Sequence, residues 1–303
     1  MKKITNLILI SLSTTLAACG GGGGGGGGGG SAGFTNWSSV SRPGSASLTG
    51  ITVEGNYTST APTYAVNSVS SATNGTSTVV IGYGATIPNS ISINGSNSNV
   101  SFSTANGDTF TTLAAVGAPG VDFAINSTGS KAAAAADPIA LGYNYQSFGI
   151  WETGRGTGSG SFGATSVGSS TSAASVPTTG TATFTGSAGG AYIDSSGADY
   201  IVASNATLNA DFANRTVSIA TTGSQKMNAT TAAVTSASNL NLTGNMTYGS
   251  GTNTISGTIS TADSMTGNVR GQFYGPAAQE IGGTFGTSGG GVKNYAGAFG
   301  AKR

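Results

Sequence analysis

Residues 269–285 leave the chain little choice of local structure: Val-Arg-Gly-Gln-Phe-Tyr-Gly-Pro-Ala-Ala-Gln-Glu-Ile-Gly-Gly-Thr-Phe. Val269, Gly271 and Phe273 alternate with Arg270, Gln272 and Tyr274, the period of a strand with one buried face. Gly275-Pro276 then stops the ladder, because proline has no N–H to donate and glycine accepts a positive φ. Ile281, Gly283 and Phe285 resume the alternation, and Tyr295, Gly297 and Phe299 repeat it near the end of the chain. The reading is strand, tight turn, strand, and one further strand.

Upstream, the same alternation recurs. Ala206, Leu208, Ala210 and Phe212 oppose Thr207, Asn209 and Asp211. Val217 and Ile219 return after Ala213-Asn214-Arg215, and Leu240, Leu242, Met246 and Tyr248 are answered by Ile255, Gly257 and Ile259. Short strands at this spacing predict an antiparallel barrel or sandwich. Inward glycines at Gly244, Gly257, Gly271, Gly283 and Gly297 suit a small, tightly curved, side-chain-filled barrel. Residues 34–130 read as shorter β segments, with a hairpin signal at Asn94-Gly95. Lys131 to Pro138, rich in alanine, reads as one or two turns of helix linking the two regions. Ser159 to Val167 reads as a thin, Gly- and Ser-rich strand or loop.

The run Gly271, Phe273, Tyr274, Gly275, Pro276, Glu280, Gly282, Gly283 and Phe285, echoed by Gly297 and Phe299, resembles the β-barrel domain of the transferrin-binding protein B family of Gram-negative surface lipoproteins. Factor H-binding lipoproteins have a related barrel. The resemblance is sharp over the last tenth of the chain and extends more weakly back to about residue 145, where Phe148, Gly149 and Trp151 resemble the family's barrel opening. It implies an all-β protein, with a small N-terminal β handle domain over 34–140 and an eight-stranded antiparallel barrel over 141–303.

The N-terminus carries Lys2-Lys3, a short apolar run from Leu7 to Leu12, and Leu16-Ala17-Ala18-Cys19. The run is shorter than the about 20 apolar residues that cross a bilayer, so residues 1–18 read as a signal peptide. Cys19, the only cysteine, then reads as a lipid acceptor (palmitate among the acyl chains), and several acyl chains hold a protein stably to a membrane. By resemblance to the family, Gly20 after it favours the outer membrane. The eleven glycines from Gly20 to Gly30 cannot form a core, so 19–33 reads as a lipidated flexible tether.

Composition then excludes whole classes of chemistry. The chain has no histidine, which removes His-dependent triads and His-ligated metals or haem. Without Lys2 and Lys3 the eleven basic side chains fall to nine, against ten acids, so no basic field draws nucleic acid. Charged residues are 7% of the chain, leaving Ser, Thr, Asn and Gly to keep it soluble. No catalytic residue, metal ligand or cofactor is expected. Glu280 reads as a turn carboxylate accepting backbone N–H bonds beside Gly275-Pro276, and Glu152 with Arg155 as a solvated loop pair. Asp194 and Asp199 lack cation-loop spacing. Tyr64, Tyr83, Tyr143 and Tyr145 are candidate partner anchors or half-buried strand positions.

The resemblance implies a non-enzymatic, lipid-anchored, surface-exposed outer-membrane protein that binds a host or environmental protein or solute, in connection with iron or haem, and is exported by a dedicated translocon. The chain has length for one lobe of that family. The alternative expectation is an adhesive coat lipoprotein without a single ligand.

Overall fold

The computed structural model describes residues 34–61, 65–113 and 120–303. The expected signal peptide, Cys19, the glycine tether and Tyr64 lie outside the described residues.

Two sheets account for the fold. The N-terminal sheet contains β1 (Gly44–Ser59), β2 (Val66–Val69), β3 (Thr73–Tyr83), β4 (Pro88–Asn94), β5 (Asn99–Ser103), β6 (Thr109–Leu113), β7 (Val121–Ile125), β8 (Ala132–Ala136), β9 (Gln146–Glu152) and β10 (Ser159–Gly168). Its order is β5-β4-β3-β1-β10-β9-β8-β7-β6, with β2 added beside β1. The sheet curls around its own core of Trp37, Leu48, Ile81, Phe102, Phe110 and Trp151. Its two free edges approach one another, and Lys131 bridges them: its Nζ donates to the Ser101 carbonyl of β5 and lies 3.7 Å from Asp108, just before β6.

The C-terminal sheet contains β11 (Thr181–Ile193), β12 (Asp199–Asp211), β13 (Thr216–Asn228), β14 (Val234–Ser236), β15 (Leu242–Tyr248), β16 (Ile255–Thr261), β17 (Thr266–Tyr274), β18 (Glu280–Ser288) and β19 (Asn294–Lys302). Pairing of β12 with β13 closes eight of these strands, all but β14, into an antiparallel barrel. The interior is filled by side chains. Phe273 meets Phe184, Phe212 and Tyr248 at centroid distances of 6.1, 5.6 and 5.6 Å, and Phe285 packs edge-on to Tyr295 at 4.9 Å. The inward glycines make room for these rings. A Cβ on Gly283 would fall 2.5 Å from the Phe299 ring, and one on Gly297 would fall 2.6 Å from Phe285 and 2.3 Å from the Gly189 carbonyl. Gly275, at φ +85°, turns β17 into β18 as the Gly-Pro signal predicts.

Three local expectations change. The alanine run is strand β8, paired with β7 and β9, and the helix begins only after it, at α1 (Pro138–Leu141). Alanine permits either state, and pairing on both sides outweighs its helix preference; the helix waits for a start signal, Asp137 as N-cap followed by Pro138. Ser159 to Val167 lies wholly in strand β10, in continuous register with β1 from Thr49↔Gly168 to Thr58↔Ser159. The third concerns the division expected at residue 141, which cuts through the N-terminal sheet: β9 and β10 pair there and not in the barrel. Local alternation reports that a segment is a strand, but its sheet is decided by a partner about 100 residues away, for which the segment carries no signal.

Strand β10 is thin because it is covered on both sides. Gly163 faces Trp151, where a Cβ would come within 2.3 Å of the indole, while Phe162 and Ala164 face the barrel. The barrel wall opposite is equally small. The outward residues of β18 and β19 pair as Gly282↔Gly300, Thr284↔Ala298 and Gly286↔Ala296. A Cβ on Gly282 would stand 2.1 Å from Gln146 Oε1, and one on Gly300 2.7 Å from Phe148. Sheet thus packs closely on sheet, with Val53, Tyr57, Phe148, Phe162, Ile193 and Ala298 among the apolar residues in the seam.

Candidate functional site

The motif residues build the barrel and its seam. Phe273, Gly283, Phe285, Gly297 and Phe299 belong to the interior just described, and Gly271 lies under Phe299. Tyr274, Glu280 and Gly282 point outward, into the N-terminal sheet. Tyr274 is fully buried there, its hydroxyl 2.8 Å from Ser166 Oγ. Gly275 carries the Tyr145 ring, whose Cδ2 would be 2.6 Å from a Cβ at that position, and its carbonyl accepts from Thr171 Oγ1 at 2.6 Å. Pro276 follows it in the β17–β18 turn.

Glu280 accepts backbone N–H bonds, as expected, but not from its own turn. Oε1 takes the Asn144 N–H at 2.6 Å and Oε2 the Tyr145 N–H at 3.1 Å, both from the N-terminal sheet's side of the seam. The side chain is 2% exposed. Burial lifts its carboxyl above the ordinary range, against the pull of the Asn144 and Tyr145 N–H groups. Around it, Gln146 Nε2 donates to the carbonyls of Ile281 and Ala301 at 2.9 and 3.1 Å. Tyr143 donates to Gly300 O at 2.6 Å, and Lys302 Nζ to Leu141 O and Gly142 O at 2.9 and 3.0 Å. Nearly every bond here links one sheet to the other, so this end of the seam behaves as a rivet.

The pair Glu152 and Arg155 is not a solvated loop pair. The two side chains, 3.3 Å apart, retain only 20% and 12% exposure. Arg155 reaches the barrel at Ala229 O, and burial, then the charge of Asp199, the first residue of β12, push the Glu152 carboxyl up to about 8. Asp194 stands apart, its carboxylate filled by Ser196, Ala198 and Tyr200. No group of three or more metal-ligating side chains comes together among the described residues. Two carboxyls in one place raise the question of acid–base hydrolysis, but that chemistry needs them apart across a substrate. Here both carboxyls are largely buried between packed sheets, Glu152 beside Arg155.

The tyrosine candidates divide. Tyr83 is buried under Arg42, whose guanidinium sits 4.1 Å from the ring centre, and Tyr143 is buried in the seam. Tyr145 is half-buried against Gly275. None of these three is an exposed partner anchor. Sequence reasoning missed Gln146 and the closeness of Glu152 to Asp199; the one usable signal was the scarcity of acids, which makes each acid at a strand end worth tracing.

The barrel wall turned away from the seam is polar and carries few charges, Asp211 and Arg270 among them. One row across six strands reads Thr183, Asn209, Ser218, Asn245, Thr258 and Asn268. A shallow depression of about 620 Å³ crosses its first four strands. The exposed large apolar residues among those described, Val80, Ile87, Ile139 and Val234, lie on four separate segments.

Comparison with known proteins places this geometry. Residues 176–303 match the family model described as the C-lobe and N-lobe beta barrels of Tf-binding protein B. Among solved structures, a transferrin-binding protein B variant from Haemophilus parasuis Hp5 is 14% identical, covering 86% of this chain and 76% of that one with a TM-score of 0.44. The isotype 1 protein from serogroup B Neisseria meningitidis is 12% identical, covering 85% and 76%, with a TM-score of 0.39. A variant from Actinobacillus pleuropneumoniae H49 is 17% identical, covering 52% and 76%, with a TM-score of 0.37. No curated protein sequence matches.

Proposed function

Residues 176–303 form a barrel of the transferrin-binding protein B family, and from that premise we propose that this protein is a lipid-anchored binding protein displayed on the outer membrane. Its partner is a host or environmental protein, or an iron- or haem-carrying solute. It has no catalytic role. Cys19 carries the lipid, residues 20–30 tether the body, and a surface-export translocon carries it outward. The observation that carries this reading is the family barrel riveted to a second, curled sheet. The resulting rigid body offers loops and rims for recognition. The described residues hold one such sheet-and-barrel unit.

A second reading is supported by the neutral Thr/Ser/Asn wall: an adhesive coat protein with no single ligand. The two separate in one experiment. Residues 31–303, immobilised, are exposed to plasma proteins and to haem compounds. Saturable capture of one species supports the first reading, and its absence supports the second.

Anchoring gives a prediction of its own. Cys19→Ser is expected to abolish palmitate labelling and to move the protein out of the membrane fraction, since the tether has no apolar stretch to replace the acyl chains. Protease treatment of intact cells expressing the unaltered protein is expected to remove it. Survival of the intact protein would place it on the periplasmic face.

A further inference from the structure

The curled N-terminal sheet stays open between two strands that are neighbours in sequence. A short turn, Thr104–Asn106 followed by Gly107 at φ +80°, joins β5 to β6. One rung of a hairpin forms there: the Asp108 N–H donates to the Ser103 carbonyl at 3.1 Å, and the Ser103 N–H to Asp108 Oδ2 at 2.8 Å. Beyond that rung the strands part. No ladder joins β5 to β6, and their Cα atoms stand mostly more than 8 Å apart. Paired strands lie about 4.8 Å apart, and a strand inserted between two others spans about 9.5 Å.

The registers fix which backbone groups line the gap. The bond from Gly95 N to Ser98 O starts the β4–β5 ladder, so Val100 and Phe102 bond to β4 while Asn99, Ser101 and Ser103 turn their N–H and C=O groups the other way. The bond from Asn126 N to Lys131 O sets the alternation in β7 and β8, and through it leaves the backbone of Phe110 in β6 facing the gap. In a closing hairpin the Ser101 carbonyl would be the next acceptor. Lys131 Nζ takes it instead, lying 4.7 Å over the Phe102 ring and 3.7 Å from Asp108. Lys131 thus stops the zipper after one rung, and the N–H groups of Ser101 and Phe110 face the gap without a strand partner.

We propose that this slot binds an extended polypeptide segment, which lays its backbone between β5 and β6. Backbone N–H and C=O groups on two facing edges are matched in spacing by another backbone. The edges run antiparallel to each other, so the guest strand pairs antiparallel with one and parallel with the other. Side chains around the slot set its composition. Val100, Phe102 and Phe110 lie on the buried side, and Asn99, Ser101, Thr109 and Thr111 are exposed. A fitting segment therefore alternates apolar residues with uncharged polar ones, and Lys131, already beside Asp108, asks no charge of it. The slot deepens the binding role proposed above and rests on it, but its test uses no plasma protein or haem compound, so each can fail alone.

The probes are peptides with blocked termini, as long as the five residues of β5, that alternate Val, Ile or Phe with Ser or Thr. They are titrated by fluorescence anisotropy against the full mature chain in detergent. Saturable binding by members of the set is expected. Proline at the central residue removes a backbone N–H and is expected to weaken binding about tenfold. At saturation, hydrogen exchange is expected to slow about tenfold at the Ser101 and Phe110 amides and to stay unchanged in β17 and β18. Ser101→Pro deletes an N–H that β4 does not use, so the edge keeps its ladder, and binding is expected to fall about tenfold. Should that variant not fold, the Ser101 and Phe110 amides of the unaltered chain still decide. No saturable binding across the set, indifference to the central proline, or protection that appears away from β5 and β6 would each overturn the proposal.

Discussion

Phe273→Ala is expected to lower the unfolding free energy by about 3–5 kcal/mol, the range for removing a fully buried aromatic ring. Phe273 is 0% exposed and touches Phe184, Phe212 and Tyr248. Around it the barrel is closed by backbone bonds on every side, so the wall cannot collapse into the vacated space, and the cavity term is close to its full size. The measurement is urea denaturation followed by far-UV circular dichroism and by tryptophan fluorescence. Both tryptophans, Trp37 and Trp151, lie in the N-terminal sheet's core, far in sequence from the substitution. Because the sheets are riveted, the fluorescence midpoint is expected to fall together with the dichroism midpoint. A fluorescence transition that stays in place would mean that the two sheets unfold independently.

Glu280→Ala is expected to separate those two transitions. It removes the acceptor for the part-buried Asn144 and Tyr145 N–H groups. Hydrogen bonds to a charged acceptor contribute about 1.5–3 kcal/mol each, so a loss of about 3 kcal/mol is expected for the two. The loss falls on the joint rather than on either core. Glu280→Gln keeps one carbonyl acceptor and is expected to recover part of the coupling. If Glu280→Ala unfolds at the same urea concentration as its parent, with both probes coincident, the carboxylate is not the rivet described here.

The barrel was legible in the sequence for a physical reason. The strands of its last third alternate inward Phe, Ile and Val with outward Thr, Asn and Arg, and the turn between β17 and β18 is marked by Gly275 and Pro276. The N-terminal sheet was less so. The middle of strand β1 is covered on both faces, Val53 and Tyr57 by the barrel and Thr52 and Glu54 by its own sheet, so Thr52 and Glu54 look solvent-facing in sequence and are not. Strand β8 is all alanine and has no period to read. Strand β10 is thin because it lies between two layers, a property of its neighbours rather than of its residues. The role of Glu280 was half visible. Its motif marked it as a fixed acceptor of N–H bonds, but Asn144 and Tyr145, more than 130 residues away, could not be foreseen as its donors. The closeness of Glu152 to Asp199 is likewise a product of packing, with each acid unremarkable in its own segment.

The fold depends on its last eight long strands forming a ring with no free edge. Native-state hydrogen exchange by NMR tests that ring where it closes, between β12 and β13, at pairs such as Leu208↔Ile219 and Ala210↔Val217. Those amides are expected to exchange as slowly as the central amides of β17 and β18, and far more slowly than those of β14, whose residues are all exposed. Exchange of the β12 and β13 amides at β14-like rates would show an open sheet, and the family barrel, the seam and the binding role argued from them would fall together.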